Sequence, residues 1–389
     1  MLKIRTYNTI ATIGLEQFSR ASYEVASEIS HPDAFILRSQ KLHEEPFPET
    51  LLAIARAGAG TNNVPLDRCA EKGIVVFNTP GANANAVKEL VLAGLLLSSR
   101  GILEGIDFAN NMDKSLDETV LSKNMEAQKK HFKGSELAGK TLGIVGLGAI
   151  GSMVANMGIA LGMNVVGYDP AISIEAAWRL SSDVEKMDNI SSLMSRCDFV
   201  SLHVPAITAT KHMINQESLA NAKPNLCLLN FARDQIVDVD AVLTSMEVGT
   251  LGRYVADFPV PALLGHPKVI LMPHIGASTQ EAEENCAVMA ANQLTDFLEN
   301  GHILNSVNFP AASMQRTTGH RLTFCNENVA GVLGHVLSVL ADESINVVDM
   351  LNKSRENIAY NILDLEQAPS QRILDKINAV DHVINVRSL

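Results

Sequence analysis

The sequence predicts an α/β fold in which helices cover both faces of parallel sheets, with a smaller module at the carboxyl end. Three observations in the 389-residue chain predict it. Short apolar runs ending in polar residues alternate with helical segments from residue 30 to about 305, which is typical of parallel sheets. A glycine-rich turn joins a strand to a helix within residues 141–170. Residues 320–389 then follow the order strand, helix, strand, strand, helix, strand.

The glycine-rich turn is the most specific of these signals. The segment 141–170 reads TLGIVGLGAIGSMVANMGIALGMNVVGYDP, and its apolar run 142–145 predicts a buried parallel strand. Gly146 permits a tight turn, Gly148 lets the backbone approach a pyrophosphate, and Gly151 lets the following helix pack closely on the strand. The segment therefore predicts a Rossmann-type domain that binds a dinucleotide.

A carboxylate at the end of the next predicted strand, 164–168, indicates which dinucleotide binds. Asp169 can accept hydrogen bonds from both hydroxyls of an adenosine ribose, and it would repel a phosphate on that ribose. Pro170 and two apolar residues follow it, where an arginine would favour the phosphorylated cofactor. The sequence thus predicts NAD rather than NADP.

Composition argues against several other classes of protein. Lysine and arginine number 31 against 43 aspartate and glutamate residues, a net charge of −12, and no basic block occurs, so nucleic acid is not an expected partner. The longest apolar run, 90–97, is too short for a membrane span, and the first twenty residues lack the apolar core of a signal peptide. Five scattered cysteines without a CxxC pair favour reduced thiols and a cytoplasmic protein, with no metal site.

The predicted elements divide the chain into three domains. Residues 1–98 and 280–310 are expected to form a discontinuous, flavodoxin-like domain that binds substrate, and residues 99–279 the NAD-binding domain. Residues 308–319 contain proline, small residues and threonines, which predicts a linker. Residues 320–389 are expected to form a ferredoxin-like βαββαβ module.

Three polar residues follow predicted strands at the sheet edge where α/β proteins bind ligands: Arg233, Asp257 and His274. The planar fork of an arginine can hold a carboxylate and polarise a C2 oxygen, and a histidine can exchange a hydroxyl proton near neutral pH. Such parts suit hydride exchange between a nicotinamide and a 2-hydroxy acid. In the amino-terminal domain, Arg38 and Arg56 are candidates for binding an anionic group of the substrate.

From about residue 30 to 310 the chain resembles the D-isomer-specific 2-hydroxyacid dehydrogenases. The matching segments are GLGAIG at 146–151, LHVPAI at 202–207, NFAR at 230–233, ADF at 256–258 and PHIGAST at 273–279, with FILRS at 35–39 and RAGAGTNNV at 56–64. The resemblance implies that Arg233 clamps the substrate, that His274 is the acid/base, and that Asp257 lies near the nicotinamide amide.

The resemblance also implies two sets of binding residues. Expected at the cofactor are Gly146, Gly148, Ala149, Ile150, Gly151, Asp169, His203, Val204, Pro205, Phe231, Ala232, Arg233, Asp257, His274 and Gly276. Expected at the substrate are Arg38, Ser39, Arg56, Gly58, Ala59, Gly60 and Arg233, with the exposed N–H groups of the turn at 58–60 cradling a carboxylate.

The activity that the resemblance implies is oxidation of D-3-phosphoglycerate by NAD to 3-phosphohydroxypyruvate, the first step of L-serine biosynthesis. Glycerate, hydroxypyruvate or lactate as substrate, or a weakly catalytic NAD(H) sensor, are the alternatives. Ala262 stands where the family has the glutamate that pairs with the histidine, and Asp234 where it usually has glycine. As the pH falls, an active enzyme should therefore keep its activity down to a lower pH than relatives that keep the glutamate.

The run CNENVAGVLGHVLSVLADESINVVDM at 325–350 resembles an ACT domain, a regulatory fold that binds amino acids at paired interfaces. The resemblance implies an L-serine site that uses Asn326, Asn328 and Asn346, with Asn326 in place of a histidine. A dimerisation module without a ligand is the alternative. Both the serine-binding domain and the dimerisation module predict a homodimer or homotetramer.

Overall fold

The computed structural model describes residues 1–389, apart from the side chain of Glu175. The chain forms two compact units, residues 1–83 with 279–389 and residues 84–278. The predicted α/β class is confirmed, since the units contain two parallel sheets and a separate antiparallel sheet. The three predicted domains stay a prediction. The two units differ from them because residues 84–98 belong to the second unit, and residue 279 and residues 320–389 belong to the first.

The parallel sheet of the first unit has the strand order β2-β1-β3-β4-β5, which is the flavodoxin-like order. Its strands are β1 Leu2–Thr6, β2 Tyr23–Ala26, β3 Ala34–Leu37, β4 Ala53–Arg56 and β5 Val75–Phe77. Its helices are α1 Thr12–Leu15, α2 Leu66–Glu71 and α11 Gln280–Asn300. The predicted alternation began at residue 30 and so missed β1 and β2. Neither strand is a continuous apolar run, because β1 is only half-buried and β2 lies at the sheet edge.

The second unit holds a seven-stranded parallel sheet in the order β12-β11-β10-β9-β6-β7-β8, a Rossmann-type arrangement. Its strands are β6 Thr141–Val145, β7 Asn164–Tyr168, β8 Glu185–Lys186, β9 Phe199–Leu202, β10 Leu226–Asn230, β11 Leu251–Ala256 and β12 Val269–Leu271. Its helices are α3 Ala84–Ser99, α4 Ile102–Asn110, α5 Glu118–Gln128, α6 Ala149–Ala160, α7 Ile174–Arg179, α8 Ile190–Arg196, α9 Gln216–Ala220 and α10 Val239–Glu247.

Both faces of this second sheet are covered. Successive residues of β6 belong to different apolar clusters, with Ile144 on one face and Val145 on the other. Every residue of β9 and β10 is buried. Burial on both faces explains why these strands are continuous apolar runs that the sequence reveals.

The carboxyl-terminal module is the predicted βαββαβ structure, with the antiparallel order β14-β15-β13-β16. Its elements are β13 His320–Glu327, α12 Val332–Asp342, β14 Val347–Arg355, β15 Ile358–Leu365, α13 Gln371–Asn378 and β16 Val383–Ser388. Phe324 faces the two helices, while Cys325 and Tyr360 belong to the large apolar core of the first unit. The sheet is therefore packed on both faces at β13 and β15, whereas the edge strand β14 is mostly exposed.

Residues 308–319 contain neither a helix nor a strand, as expected of the predicted linker, but part of the segment is packed and hydrogen-bonded. Phe309 is 1% exposed, and Ala312 exchanges two backbone hydrogen bonds with Ile303 at 2.7 and 3.0 Å. The backbone N–H of Thr317 donates to Asp364 at 2.7 Å. Proline and small residues resemble a linker in composition, but here they let the chain run close to the core.

Three arginines of the carboxyl-terminal region donate to backbone carbonyls at the end of α11. Arg316 donates to Glu299 at 3.2 Å, Arg321 to Asn300 at 3.0 Å, and Arg387 to Leu298 at 2.9 Å. The last carbonyls of a helix have no partner within it and carry partial negative charge, so cations stabilise this end. The three arginines act as a cap on α11.

Arg321 also forms a buried ion pair with Asp364. Both side chains are fully buried, and Nε and Nη2 of Arg321 donate to the two carboxylate oxygens at 2.7 and 3.0 Å. Burial alone would raise the pKa of the Asp364 carboxyl, but hydrogen bonds from Arg321 and Thr317 outweigh it and lower the pKa. The pair fixes β13 against β15 by a bidentate contact.

Candidate active site

The glycine turn after β6 has the shape that a pyrophosphate requires. Gly146 has φ +90°, and a Cβ there would lie 2.6 Å from the carbonyl oxygen of His203. A Cβ at Gly151 would overlap the carbonyl oxygen of Gly146. A Cβ at Gly148 would meet nothing within 4 Å, and no side chain caps the helix α6 that begins after it. Open space beside the free N–H groups of a helix start fits the phosphates of NAD.

Asp169 is held in place at the end of β7. One carboxylate oxygen accepts a hydrogen bond from the N–H of Leu147 at 2.8 Å, and the other accepts one from Ala171 at 2.9 Å. Each oxygen keeps a further lone pair, so the carboxylate can still accept from ribose hydroxyls. The residues of this edge therefore fit NAD.

His203 follows β9 and lies against the glycine turn. Its Nε2 is 2.8 Å from the hydroxyl of Ser201, and its Nδ1 is buried with no hydrogen-bond partner among the described residues. Burial lowers the pKa of His203 to about 3, so the ring is neutral near neutral pH. Val204 and Pro205, also predicted at the cofactor, follow it, and a Cβ at Gly146 would contact Val204.

Arg233 lies on a loop that a buried asparagine organises. Asn230, at the end of β10, is fully buried; its Nδ2 donates to the carbonyl of Arg233 at 2.8 Å and its Oδ1 accepts from the N–H of Ala232 at 3.1 Å. Phe231 and Ala232 point into the apolar clusters on the two sides of the sheet, so only their backbones are available to a cofactor. Asp234 is exposed and, within the described part of the chain, forms no ion pair with Arg233.

The loop that follows β12 carries His274 and is hydrogen-bonded to Asp257. The two carboxylate oxygens of Asp257, which is 2% exposed, accept hydrogen bonds from the N–H groups of Ile275 at 2.8 Å and Gly276 at 2.7 Å. His274 is exposed and has φ +58°, a conformation that costs a non-glycine residue energy. The resemblance implied a role for Asp257 at the nicotinamide, and the geometry gives it a further one, which is to hold the His274 loop.

An aromatic ring lies beside His274. The ring of Phe258 packs on the imidazole with a centroid distance of 4.8 Å, and Ala262 is exposed in the short turn Pro261–Leu263. Among the described residues, the histidine ion pairs are those of His302 with Asp296 and of His382 with Glu327. His274 thus has no carboxylate partner within 4.0 Å in the described structure.

The predicted anion-binding residues of the first unit lie at the carboxyl ends of β3 and β4 or directly after them. The side-chain oxygen of Asn8 accepts hydrogen bonds from three consecutive N–H groups, those of Arg38 at 3.4 Å, Ser39 at 3.0 Å and Gln40 at 2.8 Å. Asn63 donates to the carbonyls of Arg38 and Gln40 at 3.3 and 2.7 Å. The loop is therefore rigid. Sequence reasoning missed both asparagines, and Asn8 went unnoticed because the strand before it was missed.

Arg56 and the turn at 58–60 lie next to this loop. Nε of Arg56 donates to the carbonyl of Arg38 at 3.1 Å. A Cβ at Gly58, which has φ +155°, would lie 2.5 Å from Nη1 of Arg56, so the guanidinium covers the turn. The carbonyl of Ala59 accepts from Asn78 at 2.7 Å, which fixes the turn leading to Gly60. The structure thus brings the predicted anion-binding residues of this unit together.

The three asparagines predicted to bind a regulatory ligand are not brought together within one chain. Asn326 is 4% exposed; its Oδ1 accepts from Asn361 at 2.8 Å and its Nδ2 donates to the carbonyl of Glu327 at 2.7 Å. Asn328 donates to Glu356 at 3.0 Å at one end of the sheet, and Asn346 precedes β14 at the other end. Because the resemblance places the ligand at an interface between paired modules, the binding of L-serine by these three asparagines stays a prediction.

Some classes of site are absent from the described residues. In the described part of the chain, no cluster of three or more histidine, cysteine, aspartate or glutamate side chains is suited to a metal ion. No helix of the described residues combines the length and apolar character needed to cross a membrane.

Comparison with known proteins identifies the family. Residues 106–276 match the D-isomer specific 2-hydroxyacid dehydrogenase, NAD binding domain. D-3-phosphoglycerate dehydrogenase of Haemophilus influenzae is 34% identical over 351 residues, covering 87% of this chain and 81% of that protein. The enzyme of the same name from Escherichia coli (strain K12) is 33% identical over 354 residues, covering 88% and 82%.

A solved structure gives the same answer. The NAD+-bound 3-phosphoglycerate dehydrogenase of Entamoeba histolytica matches with a TM-score of 0.61 and 28% identity, covering 79% of this chain and 98% of that one. The chain belongs to the D-isomer-specific 2-hydroxyacid dehydrogenases. It is an NAD-dependent dehydrogenase, with NAD as the cofactor.

Proposed function

We propose that this enzyme oxidises D-3-phosphoglycerate with NAD to 3-phosphohydroxypyruvate, the first step of L-serine biosynthesis. The observation that carries the proposal is the similarity, over more than four fifths of the chain, to two bacterial D-3-phosphoglycerate dehydrogenases. The rigid loop bearing Arg38, next to Arg56, supports a substrate with an additional anionic group.

The proposed roles follow from the chemistry of each side chain. Arg233 holds the substrate carboxylate and stabilises the oxygen at C2, with Asn230 fixing its loop. His274 accepts the proton of the C2 hydroxyl while Asp257 holds its loop. When bound, NAD accepts the hydride that leaves C2. Arg38, Ser39, Arg56 and the turn Gly58, Ala59 and Gly60 bind the anionic groups of the substrate.

A second candidate function is a weakly catalytic NAD(H) sensor. The observation that favours it is the contact between Phe258 and His274, where relatives are expected to have a carboxylate. A different 2-hydroxy acid, such as glycerate or lactate, is the alternative within catalysis. All of these use the same cofactor residues, so only assays of turnover separate them.

The test is NADH consumption with phosphohydroxypyruvate, hydroxypyruvate and pyruvate. We expect the phosphorylated substrate to give a kcat/KM well above the other two, and His274→Gln to abolish turnover while NADH still binds. Trp178 is the sole tryptophan, so energy transfer from tryptophan to NADH has a single donor and serves to measure that binding. NADH binding without turnover of any of the three substrates would favour the sensor.

The proposal includes regulation and assembly. The carboxyl-terminal module is an ACT-like domain that binds L-serine, with Asn328 and Asn346 coming from two paired chains because they lie at opposite ends of one sheet. The protein is a homodimer or homotetramer in the cytoplasm, and its five buried free cysteines support a reducing compartment. Mass measurement in solution and the NADH assay, each with and without L-serine, test this part.

A further inference from the structure

One arginine of the proposed substrate site already has an anionic partner. Nη2 of Arg38 lies 2.7 Å from a carboxylate oxygen of Glu283, which is in the first turns of helix α11. The Arg38 side chain is 38% exposed and the Glu283 side chain 42% exposed. The pair is therefore open to solvent and can be displaced by a competing anion.

The backbone on both sides of the pair is fixed. Asn8 and Asn63 hold the loop of Arg38, as described above. On the other side, the hydroxyl of Thr279 caps α11 by accepting from the N–H of Ala282 at 3.1 Å, and the N–H of Glu283 donates to the carbonyl of Thr279 at 3.1 Å. Because neither backbone is free to shift, the guanidinium and the carboxylate are held within reach of each other.

Arg56 lies in the same neighbourhood. Its Nε donates to the carbonyl of Arg38. Burial raises the pKa of the Cys286 thiol, the charges of Arg38 and Arg56 oppose this, and the charge of Glu283 adds to it, so all three charged groups lie near this one thiol. The Arg38–Glu283 pair thus lies in a neighbourhood that contains further charge.

We propose that Glu283 is a resident counter-ion of Arg38 and a specificity-determining residue, because it sets the charge that a substrate must bring to this subsite. The inference rests on the proposed function. A singly charged or neutral group gains little by displacing a carboxylate that is already well placed on Arg38. A doubly charged phosphoryl group attracts the Arg38 guanidinium more strongly than a single carboxylate does, so it displaces Glu283. Discrimination through a competing charge is an established way to reject wrong ligands.

The experiment compares Glu283→Gln with Glu281→Gln. Both glutamates lie in the first turn of α11 and both changes remove one negative charge, but Glu281 forms no ion pair in the described structure. The substrates are D-3-phosphoglycerate and D-glycerate, which differ only in the phosphoryl group. The measurement is KM for each substrate at saturating NAD.

We expect Glu283→Gln to lower the KM for D-3-phosphoglycerate by about 2- to 5-fold, the range set by an exposed ion pair. The KM for D-glycerate should stay within about 1.5-fold, and Glu281→Gln should change neither value beyond that. An equal change for both substrates, or equal behaviour of the two variants, overturns the inference.

Failure of the proposed function gives a different result, which is no turnover of D-3-phosphoglycerate by the wild type. In that case the probe is inorganic phosphate, with its Kd measured by calorimetry for the wild type and both variants. Tighter phosphate binding by Glu283→Gln alone supports the counter-ion role even then. Equal binding by all three proteins overturns it.

Discussion

The ring of Phe258 covers one side of the His274 imidazole, with the two ring centroids 4.8 Å apart and the planes tilted by 52°. An aromatic ring restricts the orientation of an imidazole, but it does not supply the negative charge that would stabilise the protonated form. The orientation of the His274 imidazole and the negative charge that would stabilise its protonated form are therefore separable at this site. Relatives that keep a glutamate are expected to provide both through one residue.

Ala262→Glu is the first test of this separation. A carboxylate brought near His274 stabilises the imidazolium, so the acidic limb of the kcat/KM profile should move to higher pH. We expect a shift of about one pH unit, measured with the same substrate across the pH range. Ala262→Gln, of the same size and without the charge, should leave the profile unchanged. Identical profiles for wild type and Ala262→Glu would sink the idea.

Asp257→Asn tests whether Asp257 acts on the loop or on the cofactor. The substitution replaces one oxygen of a buried carboxylate by an amide NH2 group, which cannot accept a hydrogen bond. One N–H group of the loop is then left unpaired. We expect the free energy of unfolding to fall by about 2 to 3 kcal/mol and kcat/KM to fall on the order of 100-fold. Urea unfolding and steady-state kinetics measure the two.

The control for this change is Asp240→Asn, which alters an exposed aspartate on α10 and should do neither. NADH affinity gives the decisive comparison. If Asp257→Asn weakens NADH binding as much as it lowers kcat/KM and leaves stability intact, the loop-holding role is wrong.

Replacement by alanine should have different effects at two glycines of the turn after β6, on NADH affinity at one and on stability at the other. Gly148→Ala places a methyl group in open space, so stability should be retained, but NADH should bind on the order of 10-fold more weakly because the methyl blocks the pyrophosphate. Gly151→Ala forces a Cβ onto the Gly146 carbonyl and should cost about 3 kcal/mol of stability. Thermal unfolding and energy transfer from Trp178 to NADH measure both; unchanged NADH affinity in Gly148→Ala would contradict the proposed cradle.

His203 should make stability depend on pH. Its pKa is about 3 in the folded chain, below the ordinary value of about 6.5, so below pH 6.5 the unfolded chain binds a proton that the folded chain does not. Its contribution to stability is full above that pH and is lost as the pH falls towards about 3. Between about pH 7 and about pH 5 this amounts to about 2 kcal/mol.

The measurement is urea unfolding at those two pH values for the wild type and His203→Gln. The variant should lose about 2 kcal/mol less than the wild type on going to the lower pH. His335→Gln, on the exposed side of α12, serves as the control and should behave like the wild type. An equal pH dependence in wild type and His203→Gln would refute the assignment.

The parts that the sequence predicted are those encoded in short stretches of chain. The glycine turn at 146–151, the carboxylate of Asp169 and the βαββαβ order of the last module each depend on neighbouring residues, and local spacing is visible in a single sequence. Buried strands such as β10 were also predictable, because burial on both faces produces a continuous apolar run.

The parts that the sequence did not predict depend on residues far apart in the chain. Asn8 accepts hydrogen bonds from a loop about thirty residues later in the chain. Glu283, which is much further along the chain, forms an ion pair with Arg38. The packing of Phe258 on His274 required the loops after two neighbouring strands to meet. No periodicity or motif records such pairings, since each partner alone resembles an ordinary surface residue.

The three arginines at the end of α11 have a consequence for how this chain could have evolved. A module on a flexible tether can be gained, lost or exchanged by joining genes at the tether. Here the carboxyl-terminal region supplies Arg316, Arg321 and Arg387 to the last turn of α11, a helix that begins six residues after His274, and it closes part of the apolar core beneath that helix. A gene cut before residue 316 would encode a dehydrogenase with a frayed helix and an open core. Exchange of the module would therefore require matching changes in α11.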